Sequence, residues 1–316
     1  MTNATFSLYQ QMYSYVFAQH QSFDDDADVI IAGIPFDLAT SGRPGARFAP
    51  TSIRSASSNL GWEHRRHPWA FSLRDNLKIA DIGDLGFAHG DARGAMNAVR
   101  EHVARVLKKG AIPFMLGGDH LITLPALQSV AETHGPVALV HFDAHTDDYS
   151  GGSEFDHGSV FYHAHSQGLL QADKVIQLGI RTDHDLDGPF TVVTADQLWH
   201  ANPKEVAARI RSHIGDAKVY LTFDIDCFDP IYAPGTGTPV SGGVSGPFIL
   251  ELIRHLQGLN WVGMDVVEVS PPYDNAQITS LLAATLMTDM MHLLACKLHP
   301  ELMGEHGGLA GQSVNT

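Results

Sequence analysis

Short, continuously apolar segments alternate with helical patterns along this chain, and the alternation restricts the possible folds more than any other property. Eight such segments occur, and most are apolar throughout instead of at every second position, which is typical of strands buried on both faces. They cover residues 29–35, 77–84, 111–119, 137–145, 174–181, 190–195, 218–226 and 261–269. The pattern predicts an α/β fold: a single three-layer α/β/α domain with a mostly parallel eight-stranded sheet.

Three intervening segments predict helices most clearly. Residues 91–108 place apolar side chains at helical spacing. Residues 203–214 begin at Pro203, a favoured first helical position, after Asn202, a good cap. Residues 276–297 are rich in Leu, Ala and Met and predict a buried closing helix.

The chain contains no linker and no repeat, so we expect one domain over residues 28–300. Residues 1–27 form an N-terminal extension, and the Gly-rich, polar residues 301–316 are expected to be a flexible tail. A chain of 316 residues can bury a large core without disulfides. Its two cysteines are far apart, which argues against a disulfide scaffold or a cysteine zinc site.

The charge balance limits the partners. Lys and Arg total 20 against 35 Asp and Glu, for a net charge of −15, which disfavours binding to nucleic acid or to a membrane surface. The N-terminus lacks the pattern of a signal peptide, and no apolar run approaches the ~20 residues of a membrane span. We therefore expect a cytoplasmic protein without nucleic-acid or membrane partners.

Histidines and carboxylates follow three of the predicted strands, where sites of open parallel sheets lie. These residues are His120 in G-G-D-H, Asp143, His145 and Asp147 in D-A-H-T-D, and Asp224, Asp226 and Asp229 in D-I-D-C-F-D-P. Alternate residues of an extended chain point the same way, so these side chains can converge. Crowded carboxylates repel each other unless cations neutralise them. The set therefore predicts a dinuclear metal site in which two Asp groups bridge the ions.

Other roles are open for single members of this set. Asp119 is interpreted as a residue that holds neighbouring backbone, and Asp229, before Pro230, as a turn residue. Cys227 is interpreted as a packing residue. The oxygen-rich ligand set favours Mn²⁺ over Zn²⁺, with Co²⁺, Ni²⁺ or Fe²⁺ as substitutes. Two close ions lower the pKa of a shared water, which predicts hydrolysis by attack of hydroxide on an sp² carbon.

The same motifs resemble the three metal motifs of the arginase and agmatinase (ureohydrolase) family. Further matches are the segment S-G-R-P-G-A-R-F-A-P-T-S-I-R from Ser41, A-P-G-T-G-T-P from Ala233 and G-M-D-V-V-E-V-S-P-P-Y-D from Gly263. The likeness covers residues 28–296. Two more stretches, N-L-G-W-E-H at 59–64 and F-D-H-G-S at 155–159, resemble the bacterial agmatinase branch.

The resemblance implies a ligand set for two Mn²⁺ ions and an arginase-like fold. One ion is expected to bind His120, Asp143, Asp147 and Asp224, and the other Asp143, His145, Asp224 and Asp226. Asp143 and Asp224 then bridge, and Asp147 also accepts a hydrogen bond from the bridging hydroxide. Family members assemble as trimers or hexamers, so a homotrimer or homohexamer is expected.

The resemblance also implies two residues outside the metal set. His157 matches the loop histidine that gives a proton to the leaving amine, and Glu268 matches the carboxylate that pairs with the guanidinium. The alternatives are an exposed loop histidine and an ion pair of Glu268 with Arg181. His163 and His165 are interpreted as surface residues of a helix, since residues two apart diverge there.

The sequence leaves open which group the substrate carries at the end opposite its guanidinium. Arginases hold the substrate carboxylate partly with an Asn two residues after D-A-H-T-D, where this chain has Tyr149. This difference favours agmatine, hydrolysed to putrescine and urea. A guanidino acid such as 4-guanidinobutyrate would need a basic group near the pocket, for which Arg43, Arg47 and Arg181 are candidates. Formimidoylglutamate, a deacetylase-like amide hydrolysis and a non-catalytic scaffold are the less favoured alternatives.

Overall fold

The computed structural model describes residues 14–20, 23 and 26–310. These residues form a central β-sheet that is covered by helices. Its strands are β1 Gln19–His20, β2 Val29–Gly33, β3 Ile79–Asp84, β4 Ile112–Leu116, β5 Val137–Phe142, β6 Leu170–Ile180, β7 Thr191–Thr194, β8 Lys218–Asp224 and β9 Asn260–Val267. The strand order is β1-β3-β2-β4-β9-β8-β5-β6-β7, and every pairing is parallel. The eight predicted strands are confirmed, and the two-residue β1 adds an edge strand.

Helices cover both faces of this sheet. They are α1 Ala49–Ser57, α2 Leu73–Asn76, α3 Ala92–Lys108, α4 Thr123–His134, α5 Val160–Ser166, α6 Ala195–Leu198, α7 Pro203–Ile214, α8 Gly246–Arg254 and α9 Ile278–Leu298. One core lies between the sheet and α1, α7, α8 and α9, and the other between the sheet and α3, α4 and α5. In β5, Val140 points into the first core and Leu139 into the second. The predicted three-layer α/β/α domain is confirmed.

Local sequence explains where the predicted helices begin. The Asn202 side chain accepts a hydrogen bond from the Lys204 N–H at 2.9 Å, and Pro203 is the first residue of α7. The Asp91 side chain caps α3 through the Gly94 N–H at 2.8 Å. All three predicted helices are confirmed.

The closing helix α9 is the most apolar helix of the described chain. The segment Asn275–Leu298, which includes α9, is long and apolar enough to cross a membrane. However, 83% of its apolar 18-residue stretch is buried inside the domain. Asp289 on this helix accepts hydrogen bonds from the Trp69 indole and the Arg254 guanidinium. The burial and these contacts identify α9 as a core helix.

The first and last described segments of the chain pack on the domain. Tyr15 is buried and its N–H donates to Asp81 at 2.8 Å, whereas residues 1–13 lie outside the described residues. Residues 300–306 form a 3-10 helix, and the Ala310 N–H donates to the Pro68 carbonyl at 2.7 Å. The segment expected to be a flexible tail is therefore packed on the domain as far as residue 310. The boundaries of the predicted domain stay a prediction.

Candidate metal centre and active site

Four neighbouring strands in the middle of the sheet deliver the predicted site residues. Strands β4, β9, β8 and β5 are adjacent, and His120, Glu268, Asp224 and Asp143 follow or end them. All predicted site residues are buried except His145 and Asp147, which are partly exposed. The carboxyl ends of parallel strands meet at one edge of the sheet, so residues that are distant in sequence share one site.

The ring of His120 has a fixed tautomer. The Thr222 hydroxyl donates to the Asp265 carboxylate at 2.6 Å, so it accepts from the His120 ring, whose Nε2 lies 2.9 Å away. The proton of the neutral ring is therefore on Nε2, and the lone pair is on Nδ1.

That lone pair points at carboxylates. His120 Nδ1 lies 2.8 Å from Asp147, 3.2 Å from Asp143 and 3.5 Å from Asp224. It is buried and makes no hydrogen bond. Lone pairs that face one another across such short distances repel, and a cation between them removes the repulsion. The donor set around His120 Nδ1 therefore fits a metal ion.

A second group of ligands adjoins the first. His145 Nδ1 lies 3.3 Å from Asp143 and 3.2 Å from Asp226. The Ala144 N–H and the Thr238 hydroxyl each donate to Asp226, at 3.0 and 3.1 Å, and hold its carboxylate in place. Asp143 belongs to both groups, as a bridging ligand must. The six predicted ligands thus lie close together: Asp147 and Asp224 through their contacts with His120, and Asp143, His145 and Asp226 as a group that can hold a metal ion.

The carboxylates of the cluster are electrostatically crowded. Burial, together with the negative charges of Asp226 and Asp143, raises the pKa of Asp224 well above its ordinary value. Burial also acts to raise the pKa of Asp143, but the surrounding rings of His120 and two further histidines outweigh burial and hold that pKa well below the ordinary value. Divalent cations would relieve this crowding, which agrees with the predicted dinuclear site.

One residue of this centre, His141, was not among the predicted site residues. Its Nε2 lies 2.8 Å from Asp143, and the Gln177 amide donates to its Nδ1 at 3.0 Å. Gln177 thus fixes the tautomer in which His141 donates to Asp143. The sequence did contain a signal, since His141 lies two residues before Asp143 and points to the same side of β5.

His157 and Glu268 form a buried pair beside the metal ligands. His157 Nδ1 lies 2.9 Å from Glu268 Oε1, which also accepts from the His120 N–H at 2.8 Å. The second oxygen, Oε2, is buried without a hydrogen bond. His157 is 7% exposed, so the alternative of an exposed loop histidine is wrong.

The pair shifts the titration of His157. Burial lowers its pKa, but the hydrogen bond and negative charge of Glu268 outweigh that effect and raise the pKa to about 9. In the metal-free, substrate-free protein Glu268 thus favours the protonated ring.

Backbone strain is found at the same place. Asp147 has φ 48° and Glu268 has φ 64°, in the left-handed region that residues other than glycine rarely adopt. Such strain costs about 1–3 kcal/mol for each residue. Four described residues other than glycine have a positive φ, and two of them are predicted site residues. Strained backbone of this kind is typical of functional sites, where it orients a side chain.

An acidic cleft of about 830 Å³ leads to His157 and to the His and Asp cluster. Its carboxylates are Asp147, Asp148, Asp183, Asp185, Asp187 and Asp224, and its histidines are His145, His157, His165 and His184. No lysine or arginine is among the described residues that line it. Tyr149 is 64% exposed in the wall of the cleft.

The three arginines considered for substrate binding are engaged elsewhere. The Arg181 guanidinium donates to backbone carbonyls, including Val240 at 2.7 Å, so the alternative of a Glu268–Arg181 ion pair is wrong. Arg47 pairs with Asp37, and Arg43 lies 5.2 Å over the ring of Tyr273.

The structural interpretations of three neighbours are confirmed. Asp119 accepts from the Ala39 N–H at 2.8 Å and the Leu121 N–H at 3.1 Å. The Asp229 carboxylate accepts hydrogen bonds from three backbone N–H groups, those of Ile231 in its own turn and of Gly242 and Gly243. Cys227 is a buried free thiol. None of these side chains joins the cluster of metal ligands.

Comparison with known proteins gives consistent matches over most of the chain. A sequence model of the arginase family matches residues 27–293. An agmatinase of Escherichia coli (strain SE11) is 50% identical over 277 residues, which are 88% of this chain and 90% of that protein. The crystal structure of a hypothetical agmatinase from Burkholderia thailandensis superposes with a TM-score of 0.89 at 39% identity and covers 92% of this chain and 93% of its own. Proclavaminate amidino hydrolase from Streptomyces clavuligerus superposes with a TM-score of 0.86 at 36% identity and covers 92% of this chain and 100% of its own.

Proposed function

The chain belongs to the arginase family and is a ureohydrolase, and we propose that its substrate is agmatine, hydrolysed to putrescine and urea. The observation that carries the proposal is the charge of the cleft: four carboxylates outside the proposed metal ligands line it (Asp148, Asp183, Asp185 and Asp187), and no described lysine or arginine does. Agmatine carries a guanidinium and an amine, both cationic at neutral pH. Such a cleft favours a dication and disfavours a substrate that bears a carboxylate.

We further propose that two Mn²⁺ ions serve as cofactors, with Co²⁺, Ni²⁺ or Fe²⁺ as substitutes. His120, Asp143, Asp147 and Asp224 would hold one ion, and Asp143, His145, Asp224 and Asp226 the other. The oxygen-rich donor set and the free lone pair of His120 Nδ1 support this assignment. When bound, the ions activate water as a nucleophile at neutral pH and stabilise the charge that develops in the transition state.

The residues of the chain then have distinct tasks. Glu268 binds the guanidinium through Oε2, because that buried carboxylate oxygen lacks a hydrogen bond of its own. Asp147 accepts a hydrogen bond from the attacking water. His157, whose ring is held beside Glu268, gives a proton to the departing amine as the bond between that nitrogen and the guanidinium carbon breaks. Loss of the amine leaves urea.

A guanidino acid is the second candidate substrate. It is supported by the structural likeness to an amidino hydrolase that is named for proclavaminate. The contacts of Arg43, Arg47 and Arg181 with other partners count against it, because none of these cations lines the cleft. A deacetylase-like amide hydrolysis is less favoured still, since a single ion with four ligands would leave two of the six predicted ligands without a task.

The proposal is tested by urea release from agmatine, arginine and 4-guanidinobutyrate, compared side by side after Mn²⁺ loading. We expect kcat/KM to be highest for agmatine, because only agmatine lacks a carboxylate. A matched control is the Asp147→Asn variant, which we expect to fold and to release no urea. Preference for a carboxylated substrate would leave the metal chemistry intact and refute the interpretation of the cleft.

Two further properties stay proposals that rest on the family. We propose that the chain assembles as a homotrimer or homohexamer, and that it acts in the cytoplasm on a small substrate. Size-exclusion chromatography with light scattering measures the first, and fractionation of the source cells measures the second.

A further inference from the structure

Ser41 is the partner of His157 on the side of the cleft. The Ser41 hydroxyl oxygen lies 2.8 Å from His157 Nε2, and the Ser41 N–H donates to the same nitrogen at 3.0 Å. Glu268 holds the other ring nitrogen at 2.9 Å. Both nitrogens of His157 are therefore engaged, one by a buried carboxylate and one by a residue that lines the cleft.

The loop that carries Ser41 is pinned beside His157 by backbone contacts. The Arg43 N–H donates to the Gly237 carbonyl at 3.1 Å, and the His157 N–H contacts the Ala39 carbonyl at 3.5 Å. A Cβ at Gly42 would lie 2.7 Å from the Gly237 carbonyl oxygen, so only glycine allows this close approach. The position of Ser41 is thus set by the fold and not by its side chain alone.

The two donors of Ser41 act differently on His157. A backbone N–H can only donate, so it favours the neutral ring in which Nε2 accepts and Nδ1–H faces Glu268. Glu268 favours the cationic ring. The hydroxyl suits both forms, because it donates to a neutral Nε2 and accepts from a protonated one. A group that exchanges a proton must keep its position in both protonation states, and the hydroxyl of Ser41 provides this.

We propose that Ser41 is a positioning residue for the reaction, and that its hydroxyl holds the His157 ring in place, with Nε2 towards the cleft, before and after proton transfer to the leaving amine. The inference rests on the proposed role of His157. It assigns Ser41 no contact with the reacting atoms. Its effect therefore passes through His157 alone.

The test is a double-mutant cycle on the Mn²⁺-loaded enzyme with agmatine. Loss of one hydrogen bond to an ionisable group predicts that Ser41→Ala lowers kcat about tenfold with KM within about twofold. Ser41→Thr, which keeps a hydroxyl, restores most of the rate. Ser41→Ala adds no further loss in a His157→Asn background, because the two residues act as one unit. Ser212→Ala, at an exposed serine of α7 outside the cleft, is the matched control and leaves kcat unchanged.

A second readout needs no turnover. Diethyl pyrocarbonate modifies an accessible, unprotonated ring nitrogen, and mass spectrometry of peptides gives the rate at His157. We expect faster modification in Ser41→Ala than in the wild type and Ser41→Thr, with the same melting temperature and metal content.

The possible failures are distinguishable. Full activity of His157→Asn would overturn the role of His157 in the proposed function, and the inference with it. An inactive His157→Asn with a fully active Ser41→Ala would overturn the inference on Ser41 alone. Losses that add in the double variant would show that Ser41 acts through some other group, which also overturns it. If the extra methyl of Ser41→Thr is not accommodated, the cycle with alanine still decides.

Discussion

Replacing Glu268 by glutamine tests the substrate side of the site. The change keeps the shape of the side chain and the contact of its carbonyl oxygen with the His120 N–H, but it removes a buried negative charge whose Oε2 has no other partner. Removing one partner of a buried charge pair costs about 2–5 kcal/mol. At about 1.36 kcal/mol for each factor of ten, kcat/KM for agmatine should fall by about 30-fold to several thousand-fold.

The assay is steady-state urea release by the metal-loaded variant, with metal content and melting temperature measured on the same preparation. Glu251→Gln, on the exposed side of α8, is the control and should match the wild type. A Glu268→Gln enzyme within about threefold of the wild type would refute the assignment of the guanidinium to this carboxylate. A loss of bound metal in the variant would instead show that the charge supports the metal centre.

The same geometry leads to three more expected outcomes. Thr222→Val removes the acceptor that fixes the His120 tautomer and should lower metal affinity about 10- to 100-fold in a metal titration, with Thr133→Val as control. In the metal-free protein, the pKa of His157 is raised to about 9 from an unfolded value of 6.5, which contributes roughly 3 kcal/mol of stability below pH 6.5. This stability is lost as pH rises through 9. Urea denaturation at several pH values should show the free energy of unfolding falling over that range, and the Glu268→Gln variant should show a smaller fall. Asp148→Asn together with Asp183→Asn should raise KM for agmatine and weaken its dependence on salt, with kcat nearly unchanged; an unchanged KM would contradict attraction by the cleft.

The fold and the positions of the candidate metal ligands were predictable because each follows from a local pattern. Continuous apolar runs mark strands buried on both faces, and a residue such as His120 is located by the end of its strand. Sequence alone could place Asp143 beside Asp224, since parallel strands end at one edge of the sheet. The spacing of apolar residues along the chain locates the strands, and their parallel direction brings the residues after them to one edge of the sheet.

The features of the site that sequence analysis missed depend on contacts between segments that are distant along the chain. Ser41 meets His157 across 116 residues through two loops whose paths no periodicity encodes. Thr222 lies inside an apolar strand, where its part in fixing the His120 tautomer has no signature. The same holds for residues 301–310, part of a glycine-rich, polar segment that predicted a flexible tail although backbone hydrogen bonds attach these residues to the domain.

The proposed chemistry depends above all on a His and Asp cluster that holds two metal ions and thereby enables urea to form from agmatine. The most direct test is to titrate metal-free protein with Mn²⁺ and to record, on the same samples, the ions bound per chain and the rate of urea release. We expect two ions per chain and urea release that reaches its full rate only when both are bound. Full activity with one ion or with none would contradict the dinuclear centre.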